Sequence, residues 1–346
     1  MVHVVVRLRA VLAGSVHHGS LAFAMSSQPL VLAVDLGGTK LAAGIVDDAP
    51  TLRGKAVRPT VTSDAAACLA DLFACIDGLL AETQVAVQAI GVGTASMVDY
   101  ARGYIVESTN LPLRDIPLRD QLQDRYGLPA AIDNDATVAC IAEHRFGVAR
   151  GVNDMLMLTI GTGIGGGIIA RGVPYRGYSG AAAEFGHMVI DVHGPRCQGS
   201  CPNSGCLEAF VSGRALAAAA RRLAAERPDS AFAAAAASGE SLDGPLVTRL
   251  AQAGDGDALA VYDELGTLLG VGMTGLVNAF NPEMIVVGGA VAAAGDLLLE
   301  PARRVIAARA LRPQRDQVRV VRAAFAEDAG LIGAAALAFT ELLASL

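Results

Sequence analysis

The sequence has no excess of basic charge. Its 27 Lys and Arg are outnumbered by 34 Asp and Glu, giving a formal net charge of −7. A broad nucleic-acid interface needs a basic face, so that class of partner is excluded. Also missing is an apolar run long enough for a membrane span. The longest uncharged stretch of the C-terminal half, 265–282, is broken by four glycines, two threonines and two asparagines, and reads as a buried helix. Cysteine is scarce, with six residues of which three are clustered, and a chain of 346 residues built this way is no secreted disulfide framework. A metal site in the reducing cytoplasm fits better. Tryptophan is absent, while alanine and glycine abound. No Pro/Ser-rich linker divides the chain, whose length suffices for one large or two medium domains.

Residues 1–29 stand apart. Arg7 and Arg9 interrupt an apolar start, and His17, His18 and Met25 follow. The apolar core is too short and too split by charge for a signal peptide. The segment reads as a nonstructural leader, or as a start placed too early, with Met25 the natural first residue.

From residue 30 the pattern alternates between strand and helix. Short apolar runs at 30–35 and 41–46 flank Gly37-Gly38 as strand, glycine turn, strand. Helical periodicity covers 63–82, with Cys68 and Cys75 near its apolar face. Strands are expected at 85–93, 129–133, 154–160, 168–170, 284–287 and 318–321. Helices are expected at 116–126, 136–146, 212–226, 231–238, 263–280, 297–310 and 330–346. This alternation is that of an α/β architecture. A second strand–glycine turn–strand unit spans 154–170, its turn read as 161–167. The repeated hairpin suggests two related halves facing a cleft.

Five segments carry chemistry. In Asp35-Leu-Gly37-Gly38-Thr39-Lys40, glycines allow backbone N–H groups to approach phosphate oxygens, Thr39 adds a hydroxyl, Lys40 a cation, and Asp35 can hold Mg²⁺ through water. Taken alone it also reads as an ordinary Gly-Gly hairpin. Gly161-Thr162-Gly163-Ile-Gly165-Gly166 matches Gly-x-Gly-x-x-Gly, but a dinucleotide fingerprint must open a helix, and 167–172 continues as a strand. Asn134-Asp135 precedes a helix and suits an N-cap. At the carboxyl end of a strand, Asp135 can also accept a proton from a substrate hydroxyl, as a kinase aspartate does; Asp133 reads as structural. Gly288-Gly289 after a strand lets a base or ribose approach the backbone, or is a plain strand-to-helix turn. Finally, His187, Cys197, Cys201 and Cys206, at spacings of ten, four and five in a Gly/Pro-rich loop, form a Cys₃His zinc set between two acids, Glu184 and Glu208. His193 is a rival ligand.

Taken in order, Asp35–Lys40, Asp133-Asn134-Asp135-Ala136, Thr159-Ile-Gly-Thr-Gly-Ile-Gly-Gly-Gly167, Glu184-Phe-Gly-His187, Gly205-Cys206-Leu-Glu208, Asn281-Pro282-Glu283 and Glu327-Asp-Ala-Gly330 resemble the ROK family of sugar kinases and repressors, most closely its bacterial glucokinases. The resemblance runs from about residue 30 to the end. It implies an actin-like ATPase (ribonuclease H-like) fold with two α/β domains around a cleft. The smaller domain would be 30–134 plus 326–346, and the larger, carrying the zinc loop, 135–325. It implies ATP-dependent phosphorylation of a hexose 6-hydroxyl with Mg²⁺ and structural Zn²⁺, in a homodimer or homotetramer. Asp135 would be the general base. Asn110, Asn134, Glu184, His187 and Glu208 would bind sugar hydroxyls, and Gly37, Gly38, Thr39, Gly161, Thr162 and Gly163 would hold phosphates.

Two departures stand out. The usual Cys-x-Cys-Gly-x-x-Gly-Cys pattern is widened here, Cys197 lying four residues before Cys201. A family Pro-Gly is replaced by Gly93-Thr94-Ala95-Ser96-Met97, a loop near the sugar site. The shared motifs do not separate glucose from N-acetylmannosamine, N-acetylglucosamine or fructose. A repressor would need a winged-helix module, and the 34 residues before Asp35 lack its helical pattern. A dinucleotide oxidoreductase would need 167–172 to be helical.

Overall fold

The computed structural model describes residues 28–326 and 328–343; the leader up to residue 27, Glu327 and residues 344–346 lie outside the described part. The chain opens with β1 (Leu30–Leu36), β2 (Lys40–Asp47) and β3 (Leu52–Pro59), then α1 (Ala65–Thr83) and β4 (Ala89–Thr94). Three short strands, β5 (Met97–Asp99), β6 (Tyr104–Glu107) and β7 (Arg114–Ile116), form a separate small sheet. α2 (Leu118–Tyr126), β8 (Ala130–Asn134) and α3 (Asp135–Arg145) complete the first half.

The second half repeats the plan. β9 (Met155–Ile160), β10 (Ile164–Ala170) and β11 (Val173–Pro174) are followed by an irregular segment, α4 (Leu207–Phe210), α5 (Gly213–Glu226), α6 (Ala231–Ala237), α7 (Gly244–Gln252) and α8 (Gly256–Phe280). β12 (Met284–Gly288), α9 (Asp296–Arg309), α10 (Gln314–Gln317), β13 (Arg319–Arg322) and α11 (Ala329–Glu341) close the fold.

The first five-stranded sheet has the order β3-β2-β1-β4-β8 and the second β11-β10-β9-β12-β13. Numbered within each sheet, both run third, second, first, fourth, fifth. In both, the first strand pairs antiparallel with its hairpin partner and parallel with the fourth strand. The two related halves inferred from the hairpins are therefore present as whole sheets.

Strand character follows from burial. β1 and β4 are almost wholly apolar because both of their faces are covered, as parallel neighbours require. β3, at an edge, alternates half-buried and exposed residues. α1 starts where the Asp64 side chain accepts from the Ala67 N–H, and it buries Cys68, Leu72, Cys75, Ile76 and Leu79 against the first sheet. On that sheet's other face lies α11, with Val138, Ile141 and Ala142 of α3 beside it. The remaining apolar side of α3, Ala139 and Cys140, packs on Met155, Met157, Ile169 and Val286 of the second sheet. α3 thus belongs to both cores.

Three expectations need correction, the first being the strand expected at 85–93, which begins only at Ala89 as β4. The second turn is shorter than 161–167: β10 begins at Ile164, and Gly165 and Gly167 are strand residues. Their bareness serves packing, since a Cβ at Gly165 would press on Ala136 and one at Gly167 on Cys140, both in α3. α8 starts at Gly256, not 263, because Asp255 caps it through the Ala258 N–H. The edge strand β3 and the small sheet were not anticipated. The strand character of β10 also removes the dinucleotide reading, which required a helix there. Among the described residues no helix is long and apolar enough to cross a membrane.

Candidate active site

A cleft of about 440 Å³ opens between the two sheets, lined by residues from β1, α3, β9, the end of β12 and the start of α11. Asp35, Asp135, Gly288 and Gly289, singled out from sequence, all line it. The catalytic candidate Asp135 is the first residue of α3. Asn134 is its N-cap, accepting from the N–H groups of Ala136 at 2.9 Å and Thr137 at 3.3 Å. The capping and site readings of this pair hold together.

Asp135 is reachable by water from the cleft, yet protein atoms fill most of the space around it. That burial, reinforced by the negative charges of Asp35 and Glu184, raises its carboxyl to about 6, although the Ala136 N–H works the other way. Asp35 is also shifted up by burial, with Lys40 countering. Gly330 of α11 sits directly against the Asp35 carboxylate, where any side chain would collide with it. Gly330 was quoted from the sequence only as part of a pattern; its contact with Asp35 is new.

The two glycine turns lie at the ends of β1 and β9. In the first, the Gly37 N–H donates to the Lys40 carbonyl at 3.0 Å and the Thr60 hydroxyl donates to the Gly37 carbonyl at 2.7 Å. Asn110 packs on Gly38, with no room for a Cβ between them. Thr39 and Lys40 are exposed, and neither lines the cleft. In the second turn, the Gly161 N–H donates to the Gly163 carbonyl at 2.9 Å, and the Glu208 carboxylate accepts from the Ile164 N–H at 2.7 Å. Glu208 occupies the place that a Cβ on Gly163 would take.

Burial pushes the Glu184 carboxyl up, and the negative charge of Glu208 adds to this while His187 counters it. His187 Nε2 lies 4.0 Å from Glu184 Oε2, while its Nδ1 faces the Cys197 sulfur at 3.5 Å. The ligand atoms of His187, Cys197, Cys201 and Cys206 all lie within 4.8 Å of one another, and Cys201 and Cys206 sulfurs are 4.0 Å apart. A tetrahedral zinc with bonds of about 2.3 Å has ligand–ligand edges of about 3.8 Å, so the donor set fits that ion. Gly199, at φ 60°, turns the longer segment between Cys197 and Cys201. His193 is exposed and outside the cluster.

The departing loop at 93–97 is built into the site. Thr94 and Ser96 are buried and share a 3.1 Å hydroxyl contact, and the Ser96 carbonyl accepts from the Asn134 side-chain amide at 3.3 Å. Sequence reasoning missed Thr159, Met157, Arg322 and Phe325 in the cleft. Thr159 lay inside a quoted motif; Arg322 and Phe325 had no local signal.

The ROK family profile matches residues 31–341. The glucokinase of Streptomyces coelicolor is 35% identical over 317 residues, covering 89% of this chain and 97% of that protein. A crystal structure of a ROK family glucokinase from Streptomyces griseus, in complex with glucose and AMPPNP, superposes with a TM-score of 0.78 at 34% identity, covering 89% of this chain and 98% of that one. An N-acetylmannosamine kinase of Citrobacter koseri is 34% identical over 308 residues, covering 89% of this chain and 98% of that protein. The fold is the two-domain actin-like ATPase fold of such sugar kinases. Matched by the family profile from residue 31 to 341 and built on twin five-stranded sheets, this chain belongs to the ROK family.

Proposed function

We propose that the protein is a glucokinase that transfers the terminal phosphoryl group of ATP to the 6-hydroxyl of glucose. One observation carries this reading: Asp135, with its carboxyl raised to about 6, opens α3 in the cleft that Asp35, Thr159 and Gly288-Gly289 also line, close enough to Glu184 to feel its charge. Its similarity to glucokinases along nearly the whole chain supports the choice of sugar.

In this reading Asp135 is the general base. A carboxylate with a pKa near 6 is ionised at neutral pH yet basic enough to receive a hydroxyl proton late in an in-line transfer. Asn134, Asn110, Glu184, His187 and Glu208 hold the hexose and orient its primary alcohol. Amides of Gly37, Gly38, Thr39, Gly161, Thr162 and Gly163 hold the phosphates, with Lys40 as a cation nearby, and Gly288-Gly289 admit the nucleoside. Asp35 would hold Mg²⁺, which when bound offsets phosphate charge. Closure of 30–134 with 326–346 against 135–325 excludes water, the competing acceptor.

His187, Cys197, Cys201 and Cys206 would hold zinc. All four positions come from protein, so its role is structural. His187 would then do two jobs: Nδ1, which faces the Cys197 sulfur, would hold the metal, leaving Nε2 on the Glu184 side. Removing the metal should raise the glucose KM and lower the melting temperature; a chelated, metal-free protein with unchanged glucose affinity would reject the clamp.

The test of the whole reading is Asp135→Asn. Its turnover should fall by about 10²–10⁴-fold while glucose binding by calorimetry persists. Near-normal turnover would overturn the base assignment. A coupled assay across glucose, fructose, N-acetylglucosamine and N-acetylmannosamine should give the highest kcat/KM for glucose; preference for an N-acetylhexosamine would reject the substrate.

A further inference from the structure

Arg176 follows β11 on the second sheet, yet all of its side-chain partners lie in the first half or on α11. Its Nε donates to Asp133 Oδ2 at 2.7 Å, its Nη2 donates to Glu341 Oε1 at 2.9 Å, and its guanidinium stacks on the Tyr100 ring at 3.6 Å. The side chain is 13% exposed and that of Asp133 only 1%. Asp133 uses its other oxygen, Oδ1, to accept from the Asn134 N–H at 2.9 Å. One carboxylate therefore joins the guanidinium to the backbone that presents Asn134 and Asp135.

The same arginine begins the loop that ends at Glu184. The Ala182 N–H donates to the Arg176 carbonyl at 3.1 Å, and Gly180 crosses β5 so closely that a Cβ would strike the Val98 carbonyl. The 176–184 loop is thus pinned at its start by Arg176 and midway by β5.

We propose that Arg176 is a positioning residue: through Asp133 it sets the Asn134-Asp135 junction and the Glu184 loop in one register. This rests on the reading of Asp135 as base and Glu184 as sugar ligand. The planar fork suits the task, because it bonds two carboxylates in fixed directions and stacks on an aromatic face, which an ammonium cannot do. With the cation gone, the buried Asp133 carboxyl loses the partner that favours its charged form and takes up a proton or relaxes, which loosens its hold on the Asn134 N–H. A displacement of about 1 Å at a reacting group costs about 10²-fold in rate.

The test compares Arg176→Gln, Arg176→Lys, Asp133→Asn and the Arg176→Gln/Asp133→Asn double variant in the full chain. For Arg176→Gln, kcat should fall by about 10²-fold and the glucose KM should rise, while the KM for ATP stays within about twofold. The lysine variant should recover part of kcat, and the double variant should be no worse than the poorer single. A drop in melting temperature with kcat and both KM values unchanged would overturn the proposal, as would strictly additive losses. Should Arg176→Gln fail to fold, Glu341→Gln removes only the outer anchor. A several-fold fall in kcat there supports the proposal and an unchanged kcat overturns it. Asp135→Asn separates the two levels. If that variant is inactive while Arg176→Gln is normal, only the positioning role falls. If it is active, the base reading itself falls.

Discussion

The two central strands, β1 and β9, end alike. Each carries four buried residues, then one half-buried polar residue, then one buried residue before its glycine turn. The polar residue is Asp35 in the first and Thr159 in the second, and both face the same cleft. Beyond the strands the halves diverge. The first turn is tied to β3 through Thr60 and overlaid by Asn110. The second is backed by Glu208 and by the start of α5, where the Gly213 N–H donates to the Gly161 carbonyl at 2.8 Å. A repeated scaffold supplies two equivalent turns, and the additions around them differ: Asp35 stands before the first, and the Glu208 carboxylate, a proposed sugar ligand, backs the second.

The largest break in this comparison is Asp35→Thr, which makes the first strand end like the second. It removes the carboxylate assigned to Mg²⁺, so turnover should drop on the order of 10²-fold or more. A steady-state assay with a Mg²⁺ titration checks this, and a normal rate with normal Mg²⁺ dependence would contradict the asymmetry. The next effect is in pH. Asp135 has its carboxyl raised to about 6, and as the proposed base it must be ionised, so kcat/KM should fall tenfold per unit as pH drops below about 6 and level off above it. Linkage gives the opposite sign for stability. A carboxyl with a folded pKa above its unfolded one stabilises the protonated state, and that contribution is lost as pH rises through 6. Asp135→Asn should therefore melt above the native chain at pH 8, with the gap closing towards pH 4; a gap that does not depend on pH would refute the shift.

Gly163→Ala sharpens the contrast between turns. Its new methyl displaces Glu208 and breaks the bond from the Ile164 N–H, a charged hydrogen bond worth about 1.5–3 kcal/mol. The glucose KM should rise at least about tenfold. Gly37→Ala meets only the Lys40 carbonyl, at 3.2 Å, and should change the glucose KM far less. Equal effects would show that the turns are not specialised. The smallest effect concerns Ala183, which holds φ 69° immediately before Glu184. A left-handed backbone costs a residue with a Cβ about 1–2 kcal/mol, part of which glycine returns as chain entropy. Ala183→Gly should raise the melting temperature by about 1–3 °C in calorimetry. A lower value would show that the strain is already relieved by packing.

Much of the site was legible because its parts are local. Asp35, Asp135, Gly288 and Gly289 stand at strand ends beside glycines or caps, and the four residues of the Cys₃His cluster fall within one segment, 187–206. What stayed hidden depends on distance or on bland sequence. β3 carries Arg53, Lys55 and Arg58 on an edge, so it offers no apolar run to read. Gly165 and Gly167 look like turn residues until α3 is seen pressed against them. Arg176 meets partners 43 and 165 positions away, which no spacing rule connects. The sheet repeat is likewise invisible beyond the hairpins, since different apolar residues satisfy the same strand pattern.

α3 has one apolar side on each sheet, and this shapes any movement of the halves. The closure proposed above would turn about that helix as about an axle. Points near an axle travel least. In the proposed closure Asp135, at the tip of that helix, would travel less than the outlying turns, so the halves would shut around their reactants without dragging the proposed proton acceptor out of aim.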